Sequence, residues 1–354
     1  MSDRWRIDSH KLVFHPGRVH AWEQGKDDWD KAKLVYPLYW EITTHAACNH
    51  RCTFCSVDAI GYPNIAIDAE LLIQRMNEAA GLGVKSVMLA GTGEPLLHKS
   101  INTIVGGAKG AGLDIGITTN GIALHRFENL PLCTWVKISL NAGTKDSYAA
   151  IHQTDAKDWE RVWNNIHDAV KRKGNCTLGV QCVVLPENLR DMRHLARLSM
   201  DAGVDYLVLK PYTQATFMLG TKYKDLNYKP MDEELRTVEE LSNGNFKVIY
   251  RQDSFRQEAE DHKYPVCNAT PFFWTYTMAN GDMFACSAHL LDKRFCIGNI
   301  NSHSFEEIWT GDKRRALYEE MKTFDIAQCR LNCRMDKVNR YLHDLTAAEH
   351  VNFI

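Results

Sequence analysis

From residue 38 onward, short apolar segments alternate with longer amphipathic ones. The short segments are rich in Val, Ile and Leu and predict six strands, at 38–44, 85–91, 113–119, 135–141, 177–185 and 205–211. The segments between them have helical spacing, most clearly at 68–83, where Asp68 is the predicted N-cap and Gly83 lies near the end. This strand–helix repetition predicts a parallel sheet with helices packed on its outside.

Alternation within the strands predicts which side chains face the barrel interior. In the fourth strand, Lys137 and Ser139 share one side, whereas Val136 and Ile138 share the other. Because the helix-covered face of such a sheet is apolar, the polar side should face a ligand. The same alternation turns a further set of polar residues inward: Tyr39, Glu41, Thr43, Gln181 and Lys210. We predict Lys137, Gln181 and Lys210 as substrate-facing residues.

Three of the eleven cysteines follow the first strand directly, at Cys48, Cys52 and Cys55. Parallel sheets bind ligands at the carboxyl ends of their strands, which places these thiols at the ligand-binding end. A tetrahedral zinc site would need a fourth ligand, for which His45 and His50 are candidates. Three thiolates alone suit a [4Fe–4S] cube whose fourth iron keeps a coordination position open.

After about residue 260 the pattern changes to short strands, turn signals and four further cysteines. Cys267, Cys286, Cys329 and Cys333 can hold one fully protein-ligated cluster or a structural zinc ion. We predict a small second domain here. The predicted division is an N-terminal extension at 1–35, a barrel at 36–230, a connecting segment at 231–262 and the second domain at 263–354.

Composition excludes several classes of partner. The chain of 354 residues has a formal net charge of −2, and its short basic run at 171–173 closes a predicted helix, so we expect no nucleic-acid partner. No stretch approaches the roughly 18–20 apolar residues of a membrane span, and the first residues lack a signal-peptide core. We therefore expect a cytoplasmic protein with no membrane partner and with reduced thiols.

The Cys-x3-Cys-x2-Cys spacing after the first strand of a βα barrel resembles the radical S-adenosylmethionine (SAM) superfamily. "GTGEP" at 91–95 resembles the family's Gly-Gly-Glu-Pro motif, with Thr92 in place of the first paired glycine, and "TTNG" and "SLN" end the third and fourth strands. Each segment alone is also ordinary turn chemistry, but together they mark consecutive strand ends. The residues that the resemblance implies for SAM binding are Phe54, Gly93, Glu94, Thr119, Asn120, Ser139 and Asn141.

The resemblance implies a partial (β/α)6 barrel in which SAM chelates the open iron. One electron then cleaves SAM to methionine and a 5′-deoxyadenosyl radical, which abstracts hydrogen from the substrate. In the second domain, Gly281, "GNI", "FEEIW" and the final cysteine pair resemble the SPASM and twitch auxiliary domains. The additional cysteines of a full SPASM pattern are absent, so the resemblance implies two [4Fe–4S] clusters in total, with structural zinc as the alternative at the second site.

The implied activity is that of an oxidoreductase acting on a small, hydroxyl-rich substrate: a sugar, a sugar nucleotide or an aminocyclitol. A flavodoxin or ferredoxin is the expected electron donor. Peptide modification is an alternative, although only about 35 residues precede the predicted barrel. Epimerisation is another and would need a hydrogen donor such as Cys296. A non-catalytic iron–sulfur or zinc-binding protein is the third.

Overall fold

The computed structural model describes residues 4–257 and 260–352. The first three residues of the predicted segment 1–35, residues 258–259 of segment 231–262 and the last two residues of segment 263–354 lie outside the described residues. Ten strands form one sheet in the order β10-β9-β8-β1-β2-β3-β4-β5-β6-β7. The strands are β1 Tyr39–Ile42, β2 Ser86–Leu89, β3 Asp114–Thr119, β4 Trp135–Ser139, β5 Thr177–Val184, β6 Tyr206–Pro211, β7 Lys247–Tyr250, β8 Trp274–Thr277, β9 Asp282–Phe284 and β10 Cys296–Asn299.

Helices alternate with the strands, and the longer ones cover the outer face of the sheet. They are α1 Pro16–Gly25, α2 Trp29–Ala32, α3 Ala69–Gly81, α4 Ile101–Gly110, α5 Lys145–His152, α6 Lys157–Arg172, α7 Met192–Ala202, α8 Asp232–Glu239, α9 Gln252–Gln257, α10 Phe305–Thr310, α11 Asp312–Met321 and α12 Asp336–Ala347. The predicted N-cap of α3 is confirmed, since the Asp68 carboxylate accepts a hydrogen bond from Leu71 N at 2.8 Å. No helix in the described ranges is long and apolar enough to cross a membrane.

All six predicted strands are present as β1–β6, and they pair in parallel. A seventh parallel strand, β7, continues the sheet beyond β6 from within the segment predicted as a connection. Only four residues long, it follows α8 after the short segment 240–246 and carries no motif, so the sequence pattern did not reveal it. Because β7 and β10 are both edges, the barrel is not closed.

The strands of the second region extend the same sheet on its β1 side. β8 pairs in parallel with β1, with Tyr39 opposite Trp274, and β9 returns antiparallel beside β8. Cys286 follows β9 and so lies on the amino-terminal side of β1. The first three cysteines follow the carboxyl end of β1. Cys286 and the first three cysteines therefore lie toward opposite ends of this strand.

The predicted faces of the strands are confirmed. Val136 and Ile138 are fully buried in the core beneath the helices. Cys182 also faces outward, with its Sγ 3.7 Å from the sulfur of Met192 on α7. This arrangement leaves the polar side chains of β1, β4 and β6 for the interior, where a ligand can reach them.

Aromatic rings fill the amino-terminal end of the barrel interior. A Cβ placed on Gly179 would lie 2.2 Å from the ring of Tyr206, and one on Gly116 would lie 2.2 Å from the ring of Trp135. Glycine at these two inward positions therefore makes room for the rings. The N-terminal segment adds to this layer, since the Trp5 ring lies 5.1 Å from that of Tyr206. The open part of the interior lies toward the carboxyl ends of the strands.

Candidate functional site

The loop that carries Cys48, Cys52 and Cys55 is fixed to the end of α5. Arg51 N donates to the carbonyl of His152 at 3.1 Å, and Thr53 N donates to the carbonyl of Ile151 at 2.9 Å. These backbone bonds position the loop on a rigid helix rather than leaving it to its own conformational preferences. The loop thus presents its thiols at the predicted end of the sheet.

The environment of these thiols suits a cationic cluster. Burial raises the pKa of the Cys48 thiol to about 11, and the nearby Cys55 adds to the shift. Burial, followed by the Cys55 and Cys48 thiols, raises the pKa of Cys52 well above its usual range. The desolvated thiols of Cys48 and Cys52 therefore resist ionisation unless a bound cation stabilises their thiolates, and iron does so. Among the described residues, buried His50 Nδ1 has no hydrogen-bond partner, and it lies in this same environment.

His152 contacts the second cysteine of the loop, a role that the sequence did not reveal. Its Nδ1 lies 3.5 Å from Cys52 Sγ, and its Nε2 accepts a hydrogen bond from Asn141 N at 3.1 Å. Because an acceptor Nε2 carries no proton, the ring proton lies on Nδ1 and points at the sulfur. The donor atoms of His50, Cys52 and His152 lie within 4.8 Å of one another. If Nδ1 of His152 were a metal ligand, the ring proton would have to lie on Nε2. It would then face the N–H of Asn141, and the hydrogen bond from Asn141 N would be lost.

Glu94 is the centre of a hydrogen-bond network beside the cysteine loop. Its carboxylate accepts bonds from Thr119 Oγ1 at 2.6 Å, Asn120 N at 2.7 Å and Leu96 N at 3.0 Å. A carboxylate has about four acceptor positions, so one position on Oε2 is left for a further donor. Burial raises the pKa of Glu94 against these bonds. A cationic ligand such as an ammonium group would restore the balance in favour of the carboxylate.

The other predicted SAM contacts lie around this network. A Cβ on Gly93 would come within 2.0 Å of the carbonyl of His45, so only glycine lets the two segments approach this closely. Asn120 Nδ2 donates to Asn49 Oδ1 at 2.7 Å and lies 3.9 Å from Cys48 Sγ. The motif residues and the cysteine loop therefore form one continuous site.

Three further candidates differ in how much of their side chain is available. Phe54 and Ser139 are both partly exposed, and Phe54 packs against the core. The side chain of Asn141 is engaged within the protein, because its Oδ1 accepts a bond from Val183 N at 2.7 Å. Asn141 thus joins the ends of β4 and β5 and supports His152, which makes it a positioning residue in this geometry.

The four auxiliary cysteines come together. Burial and mutual repulsion raise the pKa of Cys286 and of Cys329 to about 12, with Cys267 among the interacting thiols in both cases. The same causes raise the pKa of Cys333 further. Asn339 Nδ2 donates to Cys267 Sγ at 3.3 Å, and Ala288 N donates to Cys286 Sγ at 3.4 Å.

A cation accompanies this quartet. Arg330 lies between the last two cysteines in sequence and lowers the pKa of Cys286, Cys329 and Cys333. Its buried Nε has no hydrogen-bond partner in the part of the chain that the structure describes. An anionic sulfur cluster at the quartet would provide an acceptor for this group, so the residues fit a fully thiolate-ligated cluster.

Cys296 lies opposite Phe284 of β9, two residues before Cys286 in the sequence. It begins the edge strand β10, where its Sγ donates to the carbonyl of Gly298 at 3.6 Å. Its charged neighbours are Asp282 and Lys313. Cys296 therefore lies at the outer edge of the sheet.

An ion pair connects the auxiliary region to the barrel interior. Arg334 directly follows Cys333 and pairs with Glu41 on β1, where its Nη2 lies 3.4 Å from Oε1. The Tyr39 hydroxyl donates to Glu41 Oε2 at 3.3 Å and also contacts Arg334. Glu41 is only 4% exposed, whereas the Arg334 side chain is 39% exposed because it lines the open interior. The sequence predicted the inward direction of Glu41 but not its partner from the other domain.

Lys137 lies among cations, as its inward position predicts. Burial, then repulsion from Lys210, Arg334 and Arg251, lowers the pKa of Lys137 to about 7, with Glu41 opposing the shift. Its ammonium also lies 5.1 Å from the Trp135 ring. Gln181 is the register partner of Ser139 and is partly exposed. The side chains of Lys137, Gln181 and Lys210 are partly exposed on the interior face of the sheet, and we call the space that they border the chamber.

Comparison with known proteins agrees with both halves of this site. The sequence model of the Radical SAM superfamily matches residues 42–199, and that of the SPASM iron–sulfur cluster-binding domain matches residues 267–334. The first span contains the three loop cysteines, and the second contains all four auxiliary cysteines.

Individual relatives match over parts of their length. The molybdenum cofactor biosynthesis protein moc-5 of Caenorhabditis elegans is 29% identical over 65% of this chain and 41% of its own length. A GTP 3′,8-cyclase of Chlorobaculum tepidum is 39% identical over 25% of this chain and 27% of its own. The chain therefore spans less than half the length of these two curated relatives.

A solved structure supports the fold. SuiB of Streptococcus suis bound to S-adenosylmethionine superposes with a TM-score of 0.65 and 18% identity, covering 82% of this chain and 68% of that one. The two domain matches, this fold and the thiol sites agree with one another. SAM and [4Fe–4S] clusters are the cofactors of such a chain. It belongs to the radical SAM superfamily and carries a SPASM-type auxiliary domain.

Proposed function

We propose that this chain is a radical SAM oxidoreductase that removes two hydrogens from a small, hydroxyl-rich substrate held in the barrel interior. The proposed substrate classes are a sugar, a sugar nucleotide and an aminocyclitol. One observation carries the proposal: β1 has the cysteine loop at its carboxyl end and, through Glu41, contacts the auxiliary residue Arg334 on the interior face of the sheet, where the chamber lies. A substrate there would meet hydrogen abstraction on one side and an electron acceptor on the other.

We assign the seven cysteines as cluster ligands: Cys48, Cys52 and Cys55 in the barrel and Cys267, Cys286, Cys329 and Cys333 in the auxiliary domain. When bound, the barrel cluster and SAM supply one-electron cleavage of SAM and a hydrogen-atom acceptor. A flavodoxin or ferredoxin is the proposed source of that electron.

The protein itself positions the reacting groups. In this scheme the chain holds SAM through the free acceptor position of Glu94, with Ser139 among the further SAM contacts, and holds substrate hydroxyls through Gln181. A carbinol carbon loses a hydrogen atom, its oxygen loses a proton, and the remaining electron leaves toward the auxiliary side of the chamber. The substrate carbon is thereby oxidised to a carbonyl, and the product is two hydrogens lighter.

Two features favour this reaction over its alternatives. The N-terminal segment packs Trp5 and Ile7 onto inward residues of β6 and β7, which reduces the space available for an extended peptide. Epimerisation would need a hydrogen donor beside the substrate, and Cys296 lies on the outer edge strand.

Product analysis tests the proposal. The anaerobically reconstituted enzyme is given SAM, a one-electron reductant and candidate carbohydrates deuterated at single carbons. We expect transfer of one deuterium to 5′-deoxyadenosine and a product two hydrogens lighter than the substrate. Cys296→Ala should retain activity. A product that gains one solvent hydrogen in heavy water, together with an inactive Cys296→Ala variant, would replace oxidation with epimerisation.

A further inference from the structure

Cations approach the chamber from several elements that are distant in sequence. Lys137 lies on β4 and Lys210 on β6, whereas Arg251 directly follows β7 and Arg334 comes from the auxiliary domain. All three of the other cations act on the Lys137 ammonium. Arg334 pairs with Glu41 and Arg251 pairs with Asp8, yet positive charge from several directions still acts on Lys137, and such convergence favours a site for an anion.

The acidic groups nearby are already engaged. Glu41 pairs with Arg334, as described above. Asp8 accepts bonds from Lys337 Nζ at 3.2 Å and Ser254 Oγ at 2.9 Å and also pairs with Arg251 at 3.4 Å. Within residues 4–257 and 260–352, no carboxylate lies within ion-pair distance of Lys137. The Lys137 side chain therefore borders the chamber without a carboxylate partner among the described residues.

We propose that the chamber binds a phosphate or diphosphate group of the substrate, with Lys137 and Lys210 as direct contacts and Arg334 as a further contact. This inference rests on the proposed function, because it takes the barrel interior as the substrate site. Among the proposed substrates it selects a phosphorylated sugar or a sugar nucleotide. It excludes an aminocyclitol, whose ammonium groups would be repelled by the same wall.

The spread of the cations favours phosphate over carboxylate. In the register of the sheet, Lys137 lies opposite Gly179 of β5 and Lys210 lies opposite Val183 of the same strand. The backbones of the two lysines are therefore separated by four residues along β5. A carboxylate offers two oxygens on one carbon, whereas a phosphate or diphosphate offers several charged oxygens over a longer span. Lysine binds such groups as a point charge and tolerates their varied geometry.

Titration with simple anions tests this site. Pyrophosphate and malonate are added separately to the anaerobic holoenzyme with SAM bound, and binding is followed by calorimetry. We expect pyrophosphate to bind at least tenfold more tightly than malonate. Lys137→Met should weaken pyrophosphate binding about tenfold or more, and Lys137→Arg should retain most of it. Lys145→Met is the matched control, because Lys145 is an exposed lysine on α5 paired with Glu160.

The possible results distinguish the phosphate site from the proposed function. Equal affinity for malonate and pyrophosphate, or unchanged pyrophosphate binding in Lys137→Met, would overturn the proposal. If Lys137→Met loses iron or unfolds, Lys210→Met takes its place with the same expectation. Oxidation of a neutral polyol without pyrophosphate binding would overturn this inference and leave the proposed function intact. Pyrophosphate binding without any product two hydrogens lighter would instead overturn the proposed function.

Discussion

The barrel cysteine loop and the auxiliary quartet use the same ligand atoms in different surroundings. The loop has three thiols, and beside them the buried Glu94 carboxylate keeps one acceptor position free for a further donor. The quartet has four thiols, and its neighbours Asn339 and Arg330 direct donors at the sulfurs themselves. The loop surroundings are suited to receive a second molecule, whereas those of the quartet are suited to enclose a complete cluster.

This difference teaches that the number of thiols alone does not define the role of a cluster. Both regions direct donors at sulfur, as His152 does at Cys52 and Asn339 does at Cys267. What distinguishes the loop is the open acceptor position of Glu94 beside it, which can receive a ligand. The loop follows the carboxyl end of β1, whereas Arg334, the residue after Cys333 of the quartet, contacts Glu41 on the interior face of the sheet. The predictions below test this division of labour, from the largest expected effect to the smallest.

Removing thiols should affect the two regions differently. We expect the wild-type protein to hold roughly eight irons and the triple variant of Cys48, Cys52 and Cys55 to alanine to hold about four, with no SAM cleavage. Cys333→Ala should abolish product while 5′-deoxyadenosine is still formed. Iron analysis and chromatography of both reaction products measure this. Stoichiometric zinc in place of iron would contradict the two-cluster assignment.

Glu94→Gln should weaken SAM binding by roughly 1.5–3 kcal/mol, the usual contribution of a hydrogen bond to a charged group. The glutamine amide would also present hydrogens to Thr119 or Asn120, which donate to the carboxylate in the native site. Equilibrium binding of SAM to the reconstituted protein measures the effect. Glu160→Gln is the matched control, as that carboxylate is 63% exposed and pairs with Lys145. Equal SAM affinities in the two variants would show that "GTGEP" forms only a turn and does not bind SAM.

Sequence reasoning identified the parts of the site that are local in the chain. Cys48 to Cys55, Glu94 and Asn120 each lie in a short motif at a strand end, and motif and strand together determine their place. Arg334 and His152 were missed because their roles come from contacts across 293 and 100 residues. The direction of Glu41 followed from strand alternation. Its partner did not, since alternation gives no information about what the other domain brings to that face.

The Glu41–Arg334 pair should couple the two regions energetically. Arg334→Leu leaves the buried Glu41 carboxylate without its cation, and we expect a loss of about 1–3 kcal/mol in the free energy of unfolding, less than for a fully buried pair because Arg334 is partly exposed. Adding Glu41→Gln should recover part of that loss. Anaerobic denaturant unfolding of the two single variants and the double variant measures the coupling. Strictly additive effects would show that the two side chains act independently.

The chamber should lose affinity for anions as pH rises through neutrality. Lys137 has a pKa of about 7, lowered by burial and by Lys210, Arg334 and Arg251 and opposed by Glu41. Its ammonium form is therefore present at pH 6 and largely lost at pH 8, before a bound anion shifts the midpoint upward. Sulfate, which does not titrate in this range, should bind about three- to tenfold more weakly at pH 8 than at pH 6. A Lys137→Met variant with the same pH profile as the wild type would remove this lysine from the explanation.

The smallest expected effect concerns the sulfur contact of His152. Burial, followed by the neighbouring His50, keeps the pKa of His152 well below its usual value, so the ring is neutral, and its Nδ1–H points at Cys52 Sγ. A donor at a ligand sulfur stabilises the more negative, reduced cluster. His152→Phe keeps a ring to stack on Tyr148, whose centroid lies 4.4 Å away, but removes the donor.

We therefore expect His152→Phe to lower the reduction potential of the barrel cluster by about 20–60 mV, since 59 mV is tenfold for one electron and such bonds contribute about 0.5–1.5 kcal/mol. Redox titration followed by electron paramagnetic resonance measures this shift. The auxiliary cluster provides an internal reference, because its potential should stay unchanged in the same sample. Equal shifts at both clusters would indicate a global change in the protein. An unchanged barrel potential with full iron content would limit His152 to holding the loop through its backbone carbonyl, which binds Arg51 N at 3.1 Å.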